Sequence, residues 1–250
     1  MKDLLKSIFN ENNFSLFYPE FLLDSSKDKN EDNQAERDEK GFLARSKDEK
    51  RGTYFFVLFM DYETDEKLIK FIKEDIYDYF AKIKSLKYYE SEMDKNLSLL
   101  LCLRVGNLNL AESTRSGIFE IEEDPFIFKK YVLTYTENQL NALTEDMKSN
   151  SIREIVKYLN EKLNNKESFI NFKNNTLDDT EYNLVTKMFI KIPFLSLRSI
   201  EGEKLEDLEE LIDNELEEKR LTALANRILT ISNLDELKED DFISMCEVIS

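Results

Sequence analysis

Two dense apolar runs, TYFFVLFMDY at 53–62 and LSLLLCLRV at 97–105, constrain this chain more than any other feature. The first is aromatic and branched, flanked by Gly52 and Asp61, and too short for a buried helix, so it reads as a central strand. The second has the same density of apolar side chains. Between them, DEKLIKFIKEDIYDYFAKIKSL sets Leu68, Ile69, Ile72, Ile76, Phe80 and Ile83 at three- and four-residue steps. That spacing is one face of an amphipathic helix, with Thr64 as its N-cap. Strand, helix, strand is the order of a βαβ-like unit, and a right-handed crossover makes its two strands parallel.

The flanking segments are read the same way. Leu4, Leu5, Ile8 and Phe9 have helical spacing over residues 1–10, and the aromatic stretch FSLFYPEFLL after them can supply a first strand. From Asp24 to Arg51 the chain is almost all polar apart from Phe42, Leu43 and a few alanines, which makes 24–51 a low-complexity charged segment, an exposed loop or a frayed helix. SGIFEIEEDPFIFKKYVLTYT at 116–136 reads as a strand ending near Glu122, a turn at Asp124-Pro125, and a second strand through Val132. From Thr136 onward the period becomes helical, in stretches starting at Thr136, Ser151, Thr180, Lys204 and Asp235. Thr136 with Gln139 and Ser151 with Glu154 have capping-box spacing. No repeat of domain-building length is evident.

Five Gly and three Pro are too few for the many tight turns of a β-sandwich or barrel. The expected class is therefore α/β, or α+β. A small N-terminal mixed sheet with helices, residues 1–135, precedes a helix-rich acidic region, residues 136–250, and the two are either separate or one continuous body. The first residues lack the apolar stretch and cleavage site of a signal peptide, and no window approaches a membrane span, so a cytoplasmic protein without membrane contact is expected.

Histidine is absent, which removes Ser-His-Asp and Cys-His catalysis, His-based zinc sites and imidazole acid/base work. The five glycines are scattered at 41, 52, 106, 117 and 202 and build neither a Walker A loop nor a dinucleotide fingerprint. Cys102 lies in an apolar run and Cys246 near the last residue, so neither joins a metal cluster, and Cys102 is expected buried and reduced. No cofactor and no metal are expected. With 52 acidic against 35 basic residues the formal charge is −17, a field that disfavours broad contact with nucleic acid. Residues 201–250 hold 16 Asp/Glu against 5 Lys/Arg, an excess of 11. That excess is either a solvated helix surface or an acidic dock for a basic partner.

Carboxylate-lysine chemistry survives these exclusions, as in Mg²⁺-dependent nucleases that set an acid and an acid-x-Lys on neighbouring strands. Asp48-Glu49-Lys50 and Asp65-Glu66-Lys67 have the spacing, yet the first falls in the charged segment and the second at a helix start. EIEEDPFIFKKYVL is the other candidate. Its aromatics either fill the core of a strand-turn or anchor an interface whose register is set by the surrounding charges.

An N-terminal α/β part, a strand like LSLLLCLRV, the segment IFEIEEDPFIFKKYVLTYT and a helical acidic tail together resemble the middle components of bacterial ABC-three-component systems, which include Lamassu-type anti-phage operons. The likeness is specific over 118–136. There an acidic-Asp-Pro-aromatic-Phe-Lys-Lys core is matched by Glu122, Glu123, Asp124, Pro125, Phe126, Phe128, Lys129 and Lys130. Elsewhere the likeness is one of layout. It implies a non-enzymatic accessory subunit between an SMC-like ABC ATPase and an effector, often a nuclease, with no catalytic residue. Those eight residues, by their aromatics set among charges of both signs, are the candidate partner-binding segment. The alternatives are a metal-dependent nuclease-fold protein or its inactive relative, and an acidic inhibitor that mimics DNA.

Overall fold

The computed structural model describes residues 1–23, 39–48, 52–197, 216, 217 and 221. The chain divides into two compact units, Met1–Arg198 and Ser199–Ser250. The helices expected from Lys204 and from Asp235 fall outside the described residues, apart from Leu216 and Glu217, which are helical.

The two apolar runs form adjacent parallel strands, β3 (Tyr54–Asp61) and β4 (Leu97–Arg104), in the interior of a five-stranded sheet. They are joined by the expected helix in three consecutive pieces: α2 (Asp65–Lys70), a π-helical turn at Phe71–Asp75, and α3 (Ile76–Lys84). Thr64 Oγ1 accepts the Lys67 amide at 3.3 Å, so the threonine caps this helix. A four-residue helix α4 (Met93–Asn96) leads into β4. α5 (Glu112–Glu123) then carries the chain to β5 (Lys129–Tyr135), parallel to β4. On the other side of β3, β2 (Gly41–Ser46) and then β1 (Phe14–Phe17) are added antiparallel. The strand order is β1-β2-β3-β4-β5, a mixed sheet.

Alternation along the strands divides the core into two layers. Phe55, Val57, Leu100, Cys102, Leu133 and Tyr135 face a cluster closed by α1 (Lys2–Glu11), α6 (Glu137–Ser149), α7 (Ile155–Leu163) and α9 (Glu181–Lys191). Tyr54, Phe56, Leu58, Leu99, Leu101 and Leu103 face a second cluster with Leu68, Ile76, Ile83 and Ile121 from the crossover helices. Phe9 of α1 is a hub of the first layer, its ring centred 5.1 Å from Phe14, 5.4 Å from Phe42 and 4.8 Å from Phe194. Edge-to-face rings at such distances contribute beyond their buried area. The helices after β5 thus share a core with the N-terminal helix.

Several local expectations give way to tertiary context. Residues 41–46 of the charged segment are a strand between β1 and β3, not an exposed loop or frayed helix. Phe42 and Leu43 are buried on opposite faces, one in each core layer. Gly41 is required there, since a Cβ would lie 2.1 Å from the Val57 carbonyl oxygen. Residues 116–122 belong to helix α5 and not to a hairpin strand, because Thr114, Gly117 and Ile121 are buried at three- and four-residue steps. Gly117 sits 3.6 Å, measured from its absent Cβ, from Leu68 of α2, so the glycine lets the two helices approach. The capping box forms at Thr136 and Gln139 but not at Ser151 and Glu154. Ser151 has a φ of 50° and ends the turn after α6. The α7 amides of Ile155 and Val156 donate instead to the Glu11 carboxylate of α1 at 2.9 and 2.8 Å. α8 (Lys166–Asn174) also lies in this helical region, and none of its residues is buried.

Candidate functional site

The segment Glu122–Lys130 joins α5 to the edge strand β5. The helix stops at Glu123 because Asp124 precedes Pro125, and a residue before proline is driven out of the helical region. Asp124 Oδ1 then accepts the Phe126 amide at 3.1 Å, a side-chain-closed turn. Ile127 follows with φ 71°, an uncommon and strained conformation for a β-branched residue. Lys130 holds this path. Its side chain is 0% exposed, and its ammonium donates to the carbonyls of Asp124 at 3.0 Å, Phe126 at 2.5 Å and Phe128 at 3.0 Å. Asp124 Oδ2 lies 3.1 Å from the same nitrogen and supplies the countercharge. A buried ammonium needs such a full set of acceptors.

The other residues divide between interior and surface. Phe128 is buried, with ring centres 5.4 Å from Phe80 and 6.1 Å from Phe56. The Glu122 carboxylate accepts the Val132 amide at 2.9 Å and the Lys191 ammonium at 2.6 Å, which seals part of the open edge of β5. Glu123, Pro125, Phe126 and Lys129 remain exposed, Phe126 at 64%. The Lys129 ammonium stands 5.5 Å from the centre of the Tyr131 ring. The eight residues are therefore one local construction, in which Glu122, Asp124, Phe128 and Lys130 shape a loop that displays the other four.

A second polar cluster lies at the carboxyl ends of the parallel strands, where open α/β sheets commonly bind ligands. A cleft of about 350 Å³ is lined there by Asp61, Tyr62, Arg104, Gly106 and Glu137 among others. Arg104 engages Asp61 through Nε at 2.7 Å and Nη2 at 2.8 Å, and this guanidinium holds the Asp61 carboxyl below the usual carboxylate range. Asp65 accepts the hydroxyls of Ser113 at 2.7 Å, Tyr62 at 2.9 Å and Thr114 at 2.9 Å, which likewise lower its pKa. Of the two spaced triplets, Asp65 is tied into this hydroxyl cage while Lys67 pairs with Glu63. The Asp48 amide donates to Ser46, and Glu49 and Lys50 lie outside the described residues. Among the described residues no group of three His, Cys, Asp or Glu is arranged to hold a metal. Cys102 is fully buried, and burial pushes its thiol pKa up.

Residues 53–167 match the family profile of the ABC-three component (ABC-3C) system Middle Component 1. The chain is similar to an ABC-3C middle component. No curated protein and no solved structure matches the chain significantly. The ABC-3C match bears out the resemblance carried by the Asp124-Pro125 segment and extends it over β3, α2, α3, β4, α5, β5, α6 and α7. The matched span is thus the parallel half of the sheet with its crossovers and its first following helices. It contains the whole Glu122–Lys130 loop and leaves α1, β1, β2 and α9 outside. No described helix is long and apolar enough to cross a membrane.

Proposed function

We propose that this chain is the non-enzymatic middle subunit of a bacterial anti-phage or anti-plasmid complex, linking an SMC-like ABC ATPase to a nuclease-like effector. The subunit holds the effector inactive on the ATPase until foreign DNA is sensed, and it works in the cytoplasm. The match to Middle Component 1 over the sheet is the observation that carries this reading. The chemistry of the sheet end supports it. The ionised groups at the carboxyl ends of β3 and β4 are engaged with one another or with hydroxyls, as an ordered scaffold needs. The formal charge of −17 favours protein partners over a phosphate backbone. Glu122–Lys130 serves as a partner-binding segment through its four displayed residues.

Co-expression with the ATPase and effector that this reading assigns to it, followed by purification through a tag on this chain, tests the proposal. Stable recovery of both subunits is expected. Recovery of neither overturns the reading, as does Mg²⁺- or Mn²⁺-dependent cleavage by the purified chain that is lost on Asp65→Ala.

A further inference from the structure

The loop at 124–128 carries an unusual combination. A fully buried ammonium is satisfied by three carbonyls of one short loop, and a β-branched residue within it is held at φ 71°. Ordering costs of this kind persist where the surroundings over-determine the backbone, and such sites cluster at ligand clamps. The product of the arrangement is an aromatic ring directed to solvent, since Phe126 is 64% exposed beside exposed Pro125. Phe119, on the preceding turn of α5, is 62% exposed. Folding alone gains little from either ring.

The surrounding charge indicates what fits over them. Glu120 and Glu123 are exposed and make no ion pair among the described residues, whereas Glu122 and Asp124 are neutralised by Lys191 and Lys130. Of the exposed cations on this stretch, Lys129 is held toward Tyr131, and Arg115 lies one helical turn before Phe119, three residues from the exposed Glu112. Two exposed rings flanked by two uncompensated carboxylates, on a chain of charge −17, complement an apolar pocket rimmed by lysine or arginine. Aromatic anchors that fill such pockets carry most of an interface's affinity, and pre-organisation lowers the ordering cost of docking.

We infer that Phe126 is a pre-organised anchor residue that inserts into an apolar, base-rimmed pocket on a protein partner, with Lys130 as the internal post that positions it. This deepens the reading of the chain as a middle subunit and rests on it. Wild-type full-length chain and its variants are titrated separately with the purified ATPase and the purified effector of the proposed complex, at low and high salt, alongside thermal melts. Phe126→Ala is expected to melt with the wild type and to lose at least tenfold in affinity for one of the two. Ile127→Gly relieves the strained φ but frees the loop, so it is expected to stay folded and lose several-fold. Glu120→Lys with Glu123→Lys is expected to weaken binding at low salt more than at high salt. If the wild type binds one subunit and a well-folded Phe126→Ala binds it equally, the anchor is overturned while the middle-subunit reading stands. If the wild type binds neither, that reading itself falls. Wild-type binding that does not change with salt overturns the basic rim.

Discussion

Lys129 and Lys130 are neighbours in sequence with opposite fates, one at the surface beside Tyr131 and the other sealed under the loop it bonds. Reversing both charges therefore tests two things at once. Replacing Lys130 with Met leaves the three carbonyls and Asp124 without their donor, and breaking a buried pair in this way costs roughly 3–5 kcal/mol. Urea melts of Lys130→Met against Lys129→Met should show that loss for the first and little change for the second. Lys187 presents the converse case. It lies half-buried on α9, its ammonium 3.5 Å from the Thr134 carbonyl and hydroxyl, and burial lowers its pKa to about 8. Between that value and the unfolded lysine value the unfolded chain binds the extra proton, so stability attributable to this residue rises with pH. Below about pH 8 the cost of burying the charge is fully present. Melting of the wild type relative to Lys187→Met between pH 7 and 9.5 should show the gap closing as pH rises.

At the scale of elements, β2 is the piece that local composition concealed. Six residues with three buried apolar side chains, Phe42, Leu43 and Ala44, are averaged away within a long polar stretch, yet they connect β1 to the rest of the sheet. Deleting 27–48 is therefore expected to abolish cooperative folding. Joining Leu23 to Glu39 through a short Gly/Asn turn, which spares β2 and the bridge between those two residues, should change stability by about 1 kcal/mol or less. Gly41→Ala gives a finer test, since its Cβ meets backbone that cannot swing aside, and overpacking of this kind costs roughly 1–3 kcal/mol. Circular dichroism melts of the three variants rank them. α5 was concealed differently. Its Phe-Glu-Ile-Glu alternation imitates a strand, while the helical set Thr114, Gly117 and Ile121 depends on a glycine whose role is visible only once α2 lies against it.

For the molecule as a whole, among the described residues both core layers are built from side chains between Leu4 and Leu195, within the compact unit Met1–Arg198. A chain ending at Arg198 should therefore melt in one cooperative transition with its sheet intact. Near-ultraviolet circular dichroism and calorimetry check this. Loss of cooperativity would show that residues beyond 198 support the core. The layered arrangement also explains why the partner segment sits where it does. Both crossovers pack in one layer, and the loop leaving α5 reaches the surface beside the outer strand β5, whose edge is partly closed by Glu122 and Lys191.

Read alone, the sequence determined the strands at 54–61 and 97–104, the helix between them, the caps at Thr64 and Thr136, and the fold class, because hydrophobic periodicity and side-chain capping are local properties. It also singled out Glu122–Lys130, by an unusual density of charge and aromatic residues around Asp-Pro. Which members of that segment face outward depends on packing between elements far apart in sequence. Lys130 and Phe128 are drawn in by carbonyls and rings that come together once α5 packs beside β5, while Phe126 is left exposed by the same loop. The two lysines have the same local chemistry, and the neighbours that separate them are assembled by the fold.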